Sequence, residues 1–303
     1  MLNDSFFYKK FSVGLAMNTN VEEFESFMKR YNKYIDNIYV SLPLGDKFHG
    51  RDYIKNQFRN IEMVELFWKL VELIKKYEVC IEVVFNTDDL TKEDFEKCAA
   101  ELTKHDLSPG KICVLDWYYD IAKNIFPDVK IVRSVNCMPD DIELFCEASK
   151  RYDEVVVGRQ NIRNSELFKR LKQHSEVVLL LNNGCSHICG GCNTFNYCEG
   201  MYKKAVEIHG AEKIYALQSI MPYELHSNFF DFSDISLFKL STRNADTEFI
   251  TKCIDSYISN NAEEYVKENI HNYMLWARLG WHIPHYSEFS FDRIAQYKMD
   301  HMG

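Results

Sequence analysis

The chain has 303 residues, of which 46% are hydrophobic and 14% aromatic, and a formal net charge of −9. That is enough apolar material for one large domain or two smaller ones, and far too much for a disordered chain. The acidic balance argues against a general nucleic-acid binder. With no leader-like N-terminus and no apolar window of membrane-spanning length, a cytoplasmic, reducing setting is expected.

Apolar, β-branched runs recur along the chain, each followed by a polar residue and then by helical spacing. The first, "FSVGLAMN", leads into "NVEEFESFMKRYNKYI"; the second, "IYVSLP", is followed by a long loop over 43–61 that carries His49 and Arg51. After the helical "MVELFWKLVELIKKY" comes "IEVVFNTDD", and Thr91 with Asp94 three residues on resembles a capping box with Asp in place of Glu. Five further runs complete the series: "KICVLDW", "KIVRSVN", "EVVVGRQN", "EVVLLLNNG" and "SLFKLSTRN". Runs that are apolar throughout, without alternation, fit strands buried on both faces of a parallel sheet. Eight of them alternating with helices predict a closed (β/α)8 barrel of the TIM type, with an open doubly wound sheet as the rival. The barrel is expected over 1–258, with "ADTEFITKCIDSYI" as its closing helix. The aromatic stretch "NYMLWARLGWHIPHYSEFS" makes 259–303 an extension packed on it.

In such a barrel the C-terminal ends of the strands form the face that houses chemistry. Asn86, Asn136, Arg133, Arg159 and Arg243 all fall at or just after the end of a run, and His49 lies in the loop after the second. These are the candidate substrate-binding residues. Guanidinium groups there suit a carboxylate or phosphate, so a small anionic substrate is expected, although Arg133 could instead pair with Asp116.

Four of the ten cysteines, Cys185, Cys189, Cys192 and Cys198, crowd into "CSHICGGCNTFNYC" directly after the seventh run. Thiolates this close in sequence can converge on one metal centre, which suits an iron–sulfur cluster or, alternatively, zinc. The only C-x-x-C is preceded by a three-residue gap, unlike the paired motifs of zinc knuckles. Cys80 and Cys113 lie within apolar runs, and Cys98, Cys137, Cys146 and Cys253 are scattered; these six read as structural thiols, with Cys137 notable for following a strand end. Neither H-E-x-x-H nor G-x-S-x-G occurs.

In order and spacing, "IYVSLPLG", "IEVVFNT", "IVRSVN", "LLLNNGCSHICGGC" and "FKLSTRNADTEFI" resemble the peptidase U-32 (collagenase-like) family. These are barrel proteins in which a strand ending in an N-x-G-C turn introduces a cluster-binding cysteine group. The resemblance implies a 4Fe–4S cluster held by Cys185, Cys189 and Cys192, with Cys198 as the candidate fourth ligand. It also implies an oxygen-independent oxidoreductase, or a hydroxylation or modification factor. Thr242 stands where the family's K-x-x-G-R ending has glycine. C-x-x-x-C-x-x-C is also the motif of radical S-adenosylmethionine enzymes, but there it follows the first strand and not the seventh. A third reading is a non-catalytic, metal-stabilised protein that binds a protein partner.

Overall fold

The computed structural model describes residues 9–49, 52–137, 141–158, 161–182, 219–226, 231–241, 246–265 and 267–268. Eight parallel strands close into a barrel in sequence order: β1 (Lys10–Gly14), β2 (Ile35–Val40), β3 (Cys80–Phe85), β4 (Lys111–Val114), β5 (Lys130–Arg133), β6 (Glu154–Val157), β7 (Glu176–Leu180) and β8 (Ile235–Lys239). Closure is made by β1 and β8, where Phe11 sits opposite Phe238 and Ser12 opposite Lys239. The closed barrel and its eight strands are those expected from the apolar runs; the open-sheet rival is excluded.

The strands are apolar on both faces because both faces are covered. Phe85 points outward, its ring 4.4 Å from that of Phe95, and Phe11 does the same toward Tyr257 at 6.1 Å. The alternate residues, among them Tyr39, Val84, Cys113, Val132, Val156, Val178, Leu180 and Leu237, form a separate buried cluster inside the barrel.

The described helices of the outer layer are α1 (Val21–Tyr31), α2 (Asp52–Phe58), α3 (Ile61–Lys76), α4 (Lys92–Lys104), α5 (Tyr119–Ile125), α6 (Ile142–Ser149), α7 (Ser165–Lys172), α8 (Pro222–His226) and α9 (Thr247–Ser259). Several start on side-chain caps that satisfy otherwise orphaned amides: Asn20 accepts from Glu23 N–H, Asn164 from Leu167 N–H and Asp246 from Phe249 N–H. At α4 the expected capping box of Thr91 and Asp94 forms, with Thr91 N–H donating to Asp94 Oδ2 at 2.9 Å.

The loop expected over 43–61 contains a short helix. Ile54 is buried, and Phe58 meets Phe67 of α3 edge-on at 5.5 Å, so apolar residues one turn apart give α2 a face to pack. α9 ends at Asn260, whose φ of +58° is the left-handed stop that asparagine tolerates. Beyond it Ala262 and Tyr265 are buried, the latter ring 4.7 Å from Tyr257, so the beginning of the extension packs on α9. Residues 269–303 lie outside the described residues. No described helix is long and apolar enough to cross a membrane.

Candidate functional site at the C-terminal mouth

Strand alternation decides what faces the mouth. Two residues beyond the inward-facing Tyr39, Val84, Val132 and Leu180 come Ser41, Asn86, Ser134 and Asn182, and two beyond Lys239 comes Ser241. The sequence thus lines the inner rim with small, neutral hydrogen-bonding groups. Ser134 Oγ donates to Asn86 Oδ1 at 3.0 Å, although β3 and β5 are not neighbours, so both side chains lean inward past the end of β4. Asn136, exposed after β5, gives its backbone N–H to Ser134 Oγ at 3.3 Å. Of the predicted binding residues, Asn86 and Asn136 are therefore brought together. Ser134, which links them, was missed, although its place in the polar end of the fifth run, two residues before Asn136, was a usable signal.

Arg133 is elsewhere. It is 1% exposed and its guanidinium grips Asp116 with two hydrogen bonds, Nε to Oδ1 at 2.8 Å and Nη2 to Oδ2 at 2.6 Å. It also donates to the Cys137 carbonyl and to Ser149 Oγ, and lies 4.5 Å over the ring of Phe145 in α6. Strand parity sends it outward into the helix layer, and its alternative use, pairing with Asp116, is the one the structure has. His49 is buried, its ring 5.1 Å from that of Phe58, so it packs beneath the loop rather than opening onto the mouth. Arg159, Arg243, Arg51 and the four clustered cysteines lie outside the described residues.

The two ends of the cysteine-bearing segment are described. Asn182 leaves β7 and pairs with Ser219 through an antiparallel bridge; Asn182 Oδ1 also accepts the Ser241 N–H at 2.6 Å. Ile220 N–H donates to the Leu181 carbonyl at 2.8 Å, and Tyr257 Oη donates to the Ile220 carbonyl at 2.8 Å. A buried ion pair completes the fastening: Arg163 Nε donates to Glu224 Oε1 at 2.8 Å and its Nη2 to the Ser219 carbonyl at 2.7 Å, while Glu224 is wholly buried. Asn182 and Ser219, which flank residues 183–218, therefore sit side by side at the C-terminal rim.

Below the mouth the barrel holds charge. Lys239 Nζ is 2.6 Å from Glu82 Oε1 and 4.4 Å from the ring of Tyr39. Asn37 Nδ2 donates to Glu82 Oε2 and to Ser12 Oγ, both at 2.9 Å, and Lys111 bridges Glu154 and Asp36, each at 2.8 Å. Burial pulls both lysines down, but Glu82 for Lys239, and Glu154 with Asp36 for Lys111, outweigh it and hold both ammonium groups above the usual lysine range. Burial likewise pushes the Glu154 carboxyl up, with Lys111 opposing. Each buried charge thus has a partner, as the low dielectric demands.

Of the six cysteines set aside by sequence, Cys80, Cys98, Cys137 and Cys146 are free thiols. Burial pushes Cys80 up to about 11 and Cys137 to about 12, and raises Cys98 further, so these remain protonated and poor ligands at neutral pH. Among the described residues no group of three or more His, Cys, Asp or Glu is placed to hold a metal. A concavity of about 430 Å³ lies at the opposite face, lined by Lys150, Arg151, Lys172 and His174 among others; barrel chemistry is not housed there.

No protein-family model and no curated protein sequence matches the chain. Among solved structures it is similar to the U32 peptidase Mk0906, with 12% identity over 77% of this chain and 93% of that one, and a TM-score of 0.43. It is similar also to the tryptophan synthase complex of Pyrococcus furiosus (9% identity, 88% and 100% covered, TM-score 0.44). The UMP synthase of Leishmania donovani gives 10% identity and a TM-score of 0.43 over 84% of this chain, which spans only 55% of that one. At these identities the likeness concerns the fold alone: a parallel β/α barrel.

Proposed function

We propose that this is an iron–sulfur cluster-binding barrel protein of the peptidase U-32-like kind, an oxygen-independent oxidoreductase or hydroxylation/modification factor whose substrate binds at the C-terminal mouth. The observation that carries this reading is the Asn182–Ser219 bridge, because it ties both ends of the one cysteine-rich connection to the rim. The donor set fits the group: four thiols within fourteen residues supply soft ligands, whereas the six remaining cysteines are dispersed. Cys185, Cys189 and Cys192 would hold the cluster, with Cys198 or an exogenous ligand in fourth place. When bound, such a cluster supplies one-electron transfer.

The chain's own contribution would be to orient substrate on the neutral rim of Asn86, Ser134 and Asn136, above a floor whose charges are paired off. A requirement for substrate anionic charge rests on Arg159 and Arg243, since Arg133 is engaged by Asp116. Anaerobic purification with iron and sulfide analysis and an ultraviolet–visible spectrum tests the reading. About four irons per chain are expected; stoichiometric zinc without iron overturns it.

A further inference from the structure

The hydrogen bonds at the rim run in one direction. The Asn136 N–H is a fixed donor and occupies a lone pair of Ser134 Oγ, which leaves the Ser134 hydroxyl hydrogen to seek an acceptor. It finds Asn86 Oδ1, and this bond sets the amide's orientation. Asn86 Nδ2, with two donor hydrogens, is then the end of the chain, and it has no acceptor among the described residues. Cooperative polarisation along such a chain strengthens its last donor. Asn86 is half-buried and leans into the mouth.

We infer that the end of β3 is a subsite for an acceptor oxygen of the ligand, a carboxylate or carbonyl held by Asn86 Nδ2, with Ser134 as the positioning residue that aims it. The inference deepens the proposed function by assigning part of its substrate, and it rests on the mouth being the substrate site. It does not depend on the metal. The subsite takes an oxygen acceptor and rejects a cationic donor, because every hydrogen at its end points outward.

The test uses the full-length protein, metal-free and after iron reconstitution, with 15N labelling and the Asn86 side-chain amide assigned through Asn86→Asp. Acetate, acetamide and methylammonium are the probes. Acetate and acetamide are expected to shift the Asn86 amide protons saturably, and methylammonium to leave them in place. Acetate shifting alone restricts the subsite to carboxylates, and acetamide shifting as well extends it to carbonyls; both outcomes support it. Ser134→Ala, which frees the amide to flip, is expected to weaken probe binding about fivefold, the value of one ordinary hydrogen bond. Ser134→Thr, which keeps the hydroxyl, is expected to restore it. No saturable shift with either acceptor, an equal response to methylammonium, or indifference to Ser134→Ala overturns the assignment. Protein that binds acetate but takes up no iron on anaerobic reconstitution would sink the cluster reading alone.

Discussion

Cys80 and Cys185 show how differently one residue type can be used. The first is a half-buried thiol at the start of β3, held protonated by its partial burial, while the second opens a run of four. Replacing Cys185, Cys189 or Cys192 by Ser is expected to strip iron to below half of the wild-type content, whereas Cys80→Ser leaves it unchanged; iron analysis of anaerobically purified variants decides. Arg133 belongs to the structural side of the same division. Its removal strands the Asp116 carboxylate, which retains some water contact, and leaves a space beside Phe145. Arg133→Ala should therefore cost about 2–4 kcal/mol in urea unfolding while acetate affinity and iron content hold. A variant of full stability that has lost ligand binding would return Arg133 to the site. Sequence offered both uses of this arginine, because Asp116 and Arg133 end adjacent strands. Only the strand's parity, which sends the side chain outward, separates them.

At the level of elements, what was legible followed from burial on both faces. Eight covered strands write themselves as continuous apolar runs, and the helices between them as periodic ones. The inward polar residues of those runs, Ser12, Asn37, Glu82, Lys111, Glu154 and Lys239, were not read as a network. A single polar letter inside a strand does not announce that its partner lies on another strand. The pairing of Arg163 with Glu224 was equally hidden, since 61 residues separate them and neither lies in a motif. Glu224→Gln keeps an acceptor for Met221 N–H but removes the charge that Arg163 needs. Amide exchange at Ile220 and Met221 should then accelerate at least tenfold while that of β2–β4 stays slow; unchanged exchange would show that the ion pair does not hold this segment. At the closing helix, Asp246→Ala removes the α9 cap and should lower stability by about 1 kcal/mol in thermal or urea unfolding.

For the molecule as a whole, the interior charges make stability depend on pH in one direction. Lys239 and Lys111 both have folded values above those of the unfolded chain. Their contribution is complete below about pH 10.4, the ordinary lysine value, and is lost as pH rises through the folded values. Urea-unfolding stability should therefore hold from neutrality to about pH 10 and fall beyond it. The double variant Lys239→Met with Glu82→Leu should shed one lysine's share of that slope, at most about 1.4 kcal/mol per pH unit. At pH 7 it should stay within about 2 kcal/mol of the wild type, because the gain from an apolar pair is offset by the Asn37 Nδ2 hydrogen left without its Glu82 acceptor. Closure of the barrel also has a consequence for how the chain is made. β1 is the first of the eight strands to emerge from the ribosome, yet its second neighbour, β8, spans Ile235–Lys239 and is the last of them to emerge. Until then β1 and β7 present bare hydrogen-bonding edges, the surfaces most prone to pairing with other chains. The four clustered cysteines are synthesised before β8, so the nascent protein passes through a stage with its thiols already made and its barrel still open. Metal delivery and strand closure would then compete in time during synthesis, and a chain truncated just before Ile235 is the species that would aggregate.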